Sequence, residues 1–312
     1  MMRGLVAILC SGQADQHPQM FDLVADCPEC EPVFLAAAEE LGQDPRRFVR
    51  EHPRADLFVD RAGQILCCAR ALAVWAALGT DQPVRAVIAG YSVGELAAWG
   101  CAGALDGPAT LRLAQQRAAL MDAAAPSDGG LAAIVGLRRP TLEPILARHK
   151  LSIAIVNGAD SFVVGGRRTD LEAARQEATV RGAKHTVHLP VAVPSHTPFL
   201  SAASNQFRDV LRAACPRPPR TGHRLLSGID GDTVYDIDTG TEKLARQIST
   251  TIDWAACLAS CRSAGAQAAL ELGPGTALSR MTSPLFSEGR ARAVDEFRTL
   301  DGLRKWLERV IN

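Results

Sequence analysis

The chain has 312 residues, 47% of them hydrophobic, with 34 basic side chains balanced by 34 acidic ones. That length and apolar content can bury a large core, and the zero net charge argues against nucleic acid as the main partner, which favours a basic excess. Nor does any run of like charge mark an interaction tail.

The N-terminal segment Met1 to Cys10 is apolar but short, and it runs into polar Ser11-Gly12-Gln13 without a cleavage-type signal. It reads as a first strand over 4–10, followed by a polar loop to Pro18. A helical region with a variable loop continues to about Ala62. From Gln64 to Leu78, Ile65, Ala69, Leu72 and Trp75 or Ala76 recur at helical spacing. No apolar stretch reads as a membrane span, which needs about 18 residues or more, so the expectation is a soluble, cytoplasmic chain. Val84 to Ala89 is a short apolar run of the kind buried on both faces in a parallel sheet. Gly90-Tyr91-Ser92-Val93-Gly94 interrupts it, and a helix resumes from Glu95 to Ala104. Strand, sharp turn and helix in that order are α/β grammar.

Residues 128–191 change rhythm. Strand, helix, two strands joined at Asn157-Gly158, helix and strand give the β-α-β-β-α-β order of a ferredoxin-like unit. It begins after the turn-rich stretch Ala125 to Gly130. The fold class expected is therefore α/β: a larger, α/β-hydrolase-like catalytic domain formed by 1–127 and 192–312, with the smaller ferredoxin-like domain 128–191 inserted. Beyond it, 199–214 reads as a helix, 225–229 and 268–272 as strands, 241–264 as helical, and a last helix starts at Asp301.

Nine cysteines in a chain of this length do not form a disulfide framework. Cys27-Pro-Glu-Cys30 has C-x-x-C spacing, but no second pair at zinc-site spacing accompanies it. Reduced thiols and no metal are expected.

Three signals carry chemistry. Gly90 to Gly94 matches G-x-S-x-G, the turn that presents a serine hydroxyl at a helix N-terminus, where free N–H groups can hold an oxyanion. Chance produces such five-residue patterns, but the strand before and the helix after are the context that this one needs. A serine nucleophile requires a base. Of the seven histidines, His196 stands apart in Val193-Pro194-Ser195-His196-Thr197-Pro198, a loop stiffened by two prolines, although a loop histidine is often only surface. Arg117 lies on a partly apolar helical stripe, flanked by Leu113 and Leu120. A charge there needs either an internal salt bridge or a substrate carboxylate, and spacing does not choose between them. Ser11 to Gln16 lacks any phosphate-cradling pattern, and Leu272 to Gly275 reads as a structural turn.

Taken together, these residues resemble the malonyl-CoA:acyl carrier protein transacylase family along nearly the whole chain. Its G-H-S-x-G-E motif stands here as GYSVGE (Gly90 to Glu95), and its P-G-Q-G-x-Q as Ser11 to Gln16. Its Q-R-x-x-x-M is Gln116 to Met121, and its V-P-S-H is Val193 to His196. Arg246-Gln247 through Ile252 and Trp254 matches R-Q-x-x-x-x-V-x-W, and Glu271 to Gly275 matches E-x-G-P-G. The resemblance implies Ser92 as nucleophile, His196 as its base, and the N–H groups of Gln13 and Val93 as the oxyanion hole. It further implies Arg117 as the holder of the malonyl carboxylate, and a carbonyl near Gln247, rather than an acid, as the group orienting His196. Expected partners are malonyl-CoA, used as a coenzyme A thioester substrate with no permanently bound cofactor, and an acyl carrier protein. Two departures stand out. Tyr91 replaces the family's usual histidine, and Ser11 with Ala14-Asp15 alters the first loop. With SGQ and PVAVPSHTP, these make the chain most similar to the malonate decarboxylase epsilon subunit, whose acceptor is the decarboxylase's own carrier subunit. Fatty-acid or polyketide transacylation is the alternative. A serine hydrolase would place its histidine late in the chain, and a non-catalytic carrier-docking subunit would not need Ser92, His196 and Arg117 together.

Overall fold

The computed structural model describes residues 4–312; Met1 to Arg3, the start of the apolar N-terminal segment, lie outside the described residues. Its strands are β1 (Leu5–Cys10), β2 (Ala86–Gly90), β3 (Gly129–Val135), β4 (Ser152–Gly158), β5 (Ser161–Arg167), β6 (His185–His188), β7 (His223–Leu225), β8 (Ile252–Asp253), β9 (Ala266–Glu271) and β10 (Ala291–Ala293).

The first sheet has the order β10-β9-β1-β2-β7 and is parallel throughout. β1 is central, and every residue from Val6 to Cys10 is fully buried, as a strand covered on both faces must be. Alternation along it feeds two cores. Val6, Ile8 and Cys10 pack with the helices Glu31–Leu41, Asp60–Leu78, Gly94–Cys101 and Gly107–Ala124. Ala7 and Leu9 join Val87, Ala89, Trp254 and Cys257 on the other side. Contrary to the expectation that no apolar stretch reads as a membrane span, the segment Asp60–Asp81 is long and apolar enough to cross a membrane by length and composition alone, but 89% of its apolar window is buried inside the fold. That makes it a core helix.

The second sheet has the order β6-β3-β5-β4-β8. β3 pairs antiparallel with β5 and β6, and β5 antiparallel with β4. Ala132, Ile134, Phe162 and Val164 on one face pack under the helices Arg139–Arg148 and Arg168–Val180. Leu131, Ala154, Ile155 and Val163 on the other face share a core with Ala7, Leu9 and Trp254 of the first layer. The two sheets are thereby joined through a common apolar seam.

Two expected elements differ. The strand expected over 225–229 lies earlier, as β7 (His223–Leu225). The helical stretch over 241–264 is two helices, Ile237–Arg246 and Trp254–Ser263, separated by an extended segment that holds β8. The run Ile248-Ser249-Thr250-Thr251-Ile252 is rich in β-branched residues, which lose side-chain freedom in a helix. Asp253 then restarts the helix by accepting from Ala256 N at 2.9 Å, an N-cap. β8 crosses to the second sheet and pairs parallel with β4, Ile155 opposite Ile252. The strand β10 and the helix Ala277–Thr282 were not anticipated either.

Candidate active site

β2 ends at Gly90 and a helix begins at Gly94. Between them Ser92 adopts φ 57°, the left-handed region that strains a residue with a Cβ. Both flanking glycines are required by sterics. A Cβ on Gly90 would fall 2.2 Å from Glu95 N, and one on Gly94 would fall 2.1 Å from the Cys10 carbonyl oxygen of β1.

Ser92 Oγ lies 2.8 Å from His196 Nε2, and His196 Nδ1 lies 2.6 Å from the Gln247 main-chain oxygen. A carbonyl only accepts, so Nδ1 carries the proton and Nε2 is left to accept the serine O–H. The loop is held from several sides. His196 N–H donates to Ile248 O at 2.8 Å, and Thr197 Oγ1 donates to Pro194 O at 2.6 Å. His196 is 1% exposed. Burial first, and then the Arg117 charge, push its pKa down to about 3 against the opposing pull of the Gln247 carbonyl. The imidazole is therefore neutral at pH 7, as a base must be before it takes a proton.

Arg117 is also 1% exposed. Its Nη1 donates to Gln64 Oε1 at 2.7 Å and its Nη2 to Gln247 Oε1 at 3.0 Å. Both acceptors are neutral amides, and among the described residues Arg117 makes no ion pair. The internal salt bridge that spacing left open is absent there, and the guanidinium charge has no counter-charge in contact.

Gln247 sits where the helix Ile237–Arg246 ends and connects most of the site. Beyond its two bonds above, its Nε2 donates to Ser92 O and to Glu95 Oε2, each at 2.8 Å. Gln64 Nε2 donates to Asp60 Oδ2 at 2.7 Å. The loop after β1 closes over Ser92: a Cβ on Gly12 would lie 3.4 Å from Ser92 Cβ. Gln13 follows it, and its side chain reaches Asp60 O at 3.4 Å. Among the described residues the main-chain N–H groups of Gln13 and Val93 have no acceptor. Ser11, where the family resemblance has proline, donates to Glu271 Oε1 at 2.7 Å and so ties this loop to β9. A cavity of about 470 Å³ opens at His196, lined among others by Arg139, Leu151, Ile153, Thr250 and Thr251.

Ser92, His196, Arg117 and Gln247 thus meet in one network, with Gln13 and Val93 beside it. Four other histidines pair with carboxylates elsewhere: His17 with Asp295, His149 with Glu177 and His188 with Glu172, each at 3.0 Å, and His52 with Asp56 at 3.4 Å. All nine cysteines are free thiols. Asp60, Gln64 and Glu95 are network members to which sequence reading gave no role. Their signal was present: a carboxyl and an amide one turn apart at the start of a largely apolar helix that also carries Arg61 and Arg70, and a carboxyl in the first turn of the helix that follows Ser92.

A family model described as acyl transferase domain matches residues 66–295. The malonyl CoA-acyl carrier protein transacylase of Escherichia coli K12 is 27% identical over 299 residues, covering 93% of this chain and 96% of its own length. Among solved structures, the acyl-carrier-protein S-malonyltransferase of Burkholderia pseudomallei superposes with a TM-score of 0.87 at 28% identity, over 97% of this chain and 99% of that one. A malonyl-transacylase solved in complex with its type II PKS acyl-carrier protein gives a TM-score of 0.88 at 25% identity, over 98% and 99%.

Proposed function

The chain belongs to the acyl transferase family, and from that premise we propose that it carries a malonyl group from malonyl-CoA to an acyl carrier protein through an ester on Ser92. Ser92 Oγ attacks the thioester carbonyl while its proton passes to His196 Nε2. The carbonyl oxygen, now an anion, is received by the N–H groups of Val93 and Gln13; one such donor lowers the barrier by about 3–4 kcal/mol. Collapse of this intermediate breaks the C–S bond, and His196 returns the proton to the departing CoA sulfur. The carrier's thiol then repeats the steps in reverse and takes the acyl group off Ser92. The CoA thioester is a substrate, and the cycle needs no bound cofactor.

The observation that carries this reading is Arg117: a buried guanidinium joined to the catalytic pair through Gln247, with amides and no carboxylate in contact. An acyl group ending in a carboxylate supplies the missing counter-charge through paired charge-assisted hydrogen bonds. Hydrolysis of a neutral ester would leave that charge unexplained. We place 128–191 as the smaller unit inserted in a catalytic unit formed by 1–127 and 192–312, and the reaction in the cytoplasm, where thiols stay reduced. Tyr91 in place of the family's usual histidine, together with the SGQ and PVAVPSHTP segments, supports the malonate decarboxylase branch, with that enzyme's carrier subunit as acceptor in preference to a fatty-acid or polyketide carrier.

The test is intact-mass analysis after incubation with malonyl-CoA or acetyl-CoA, followed by peptide mapping. A malonyl adduct on Ser92, stronger than acetyl and lost in Ser92→Ala, is the expected result. CoA release without an adduct would make this a hydrolase. No reaction at all would leave a carrier-docking subunit.

A further inference from the structure

Arg117 is held on two sides by the same arrangement. On one side Arg117 Nη1 donates to Gln64 Oε1, and Gln64 Nε2 donates to Asp60 Oδ2. On the other Arg117 Nη2 donates to Gln247 Oε1, and Gln247 Nε2 donates to Glu95 Oε2. Each arm runs carboxyl, amide, guanidinium, and the four spacer and carboxyl residues are 7%, 0%, 1% and 1% exposed for Asp60, Gln64, Glu95 and Gln247.

A side-chain amide can present either end to a neighbour. A carboxyl, charged or neutral, always offers a lone pair, so it captures the NH₂ end. The carbonyl end must then face the guanidinium, which can only donate. Remove the carboxyl and nothing sets the amide's direction; turned over, it would set donor against donor.

A carboxylate placed directly on Arg117 would consume its paired donors and cancel its charge. An amide spacer passes on the orientation while leaving the charge for a ligand. We propose that Asp60 and Glu95 are positioning residues that, acting through Gln64 and Gln247, aim Arg117 at the carboxylate of the acyl group; this rests on the malonyl-transfer reading above. Burial pushes both carboxyls up to about 7, with Asp122 adding to it at Asp60 and Gln247 opposing it at Glu95. Asp60 Oδ1 and Glu95 Oε1 are buried without a hydrogen-bond partner, which suits a neutral carboxyl better than a carboxylate. Both carboxyls are then only partly charged near pH 7, and each touches an amide rather than Arg117 itself.

The two arms differ in one respect. Gln247 also holds His196 and Ser92 O, whereas the hydrogen-bond partners of the Gln64 side chain are Arg117, Asp60 and Met121 Sδ, none of them Ser92 or His196. Loss of Asp60 should therefore affect acyl preference, and loss of Glu95 should affect catalysis as well.

The experiment measures kcat and KM of the full chain with malonyl-CoA and acetyl-CoA, using a carrier protein as acceptor. Asp60→Ala should raise KM for malonyl-CoA and narrow the malonyl/acetyl ratio by about fivefold or more. Asp60→Asn, which keeps an acceptor oxygen for Gln64, should restore most of that ratio. In an Arg117→Ala background, Asp60→Ala should not change the ratio further. Glu95→Ala should lower transfer of both acyl groups. If Asp60→Ala does not fold, Asp60→Ser, whose hydroxyl falls short of Gln64, takes its place in the same comparison. A wild-type ratio in the folded variant overturns the proposal, as does a proportional fall with both acyl groups. If the wild-type chain forms no malonyl ester on Ser92, the malonyl-transfer reading fails first and this inference falls with it.

Discussion

His196 Nδ1 and the main-chain oxygen of Gln247 lie 2.6 Å apart, so the imidazole is oriented by a carbonyl dipole rather than by a carboxylate. A carbonyl fixes the tautomer as an acid would, but it adds no counter-charge to stabilise an imidazolium. The imidazole thus stays neutral over a wide pH range, and in the proposed cycle positive charge develops on it only as the transition state forms.

That arrangement predicts the titration of His196. Its pKa is pushed down to about 3 from an ordinary value of 6.5, so the folded chain binds fewer protons here than the unfolded one between those values. Stability from this site is complete above about pH 6.5 and is lost as pH falls toward 3. In a histidine-selective NMR titration, the signal missing from His196→Gln should remain at its neutral position at pH 5. A midpoint near 6.5 would show that the ring is solvated and not held as described.

Arg117→Lys should fail to preserve selectivity. The guanidinium reaches Gln64 and Gln247 with separate nitrogens, a fork that a single ammonium cannot reproduce. A charge-assisted hydrogen bond contributes roughly 1.5–3 kcal/mol, so the malonyl preference should fall by about tenfold or more. Competition between malonyl-CoA and acetyl-CoA for Ser92, read by mass, measures it directly.

Gly94→Ala should be disruptive although it adds one methyl group. The new Cβ would meet the Cys10 carbonyl at 2.1 Å, and that oxygen is fixed because it accepts from Tyr91 N at 2.9 Å. Either β1 or the nucleophile turn must move, at a cost of roughly 3 kcal/mol. Urea unfolding should show a large drop in midpoint; a midpoint within experimental error of wild type would contradict the packing of turn against strand.

Ser11→Ala removes one donor from Glu271, a fully buried carboxyl that otherwise accepts from Leu278 N at 3.2 Å and Ser279 N at 2.7 Å. The expected loss is about 1–2 kcal/mol of stability. Acylation should slow as well, because the same loop carries the Gln13 N–H. Thermal unfolding and single-turnover acylation, compared on one preparation, separate the two effects.

The amino-acid sequence by itself determined what depends on neighbours along the chain. The apolar run ending at Gly90, the glycines around Ser92, the prolines around His196 and the alternating strands of residues 129–188 act over a few residues, where sterics and hydrophobic period decide local form. The resemblance implied the roles proposed for Ser92, His196, Arg117 and Gln247. Only the tertiary structure decided how Arg117 is held, because its partners Gln64 and Gln247 lie 53 and 130 residues away in the chain, and no periodicity reports which buried amide turns toward which charge. The break at Gln247 was hidden for the same reason: a β-branched segment is helical or extended according to what lies beside it, and here β4 lies beside it. That strand draws Ile252 and Asp253 into the second sheet, ends the preceding helix, and leaves the Gln247 carbonyl free of helical bonding to meet His196.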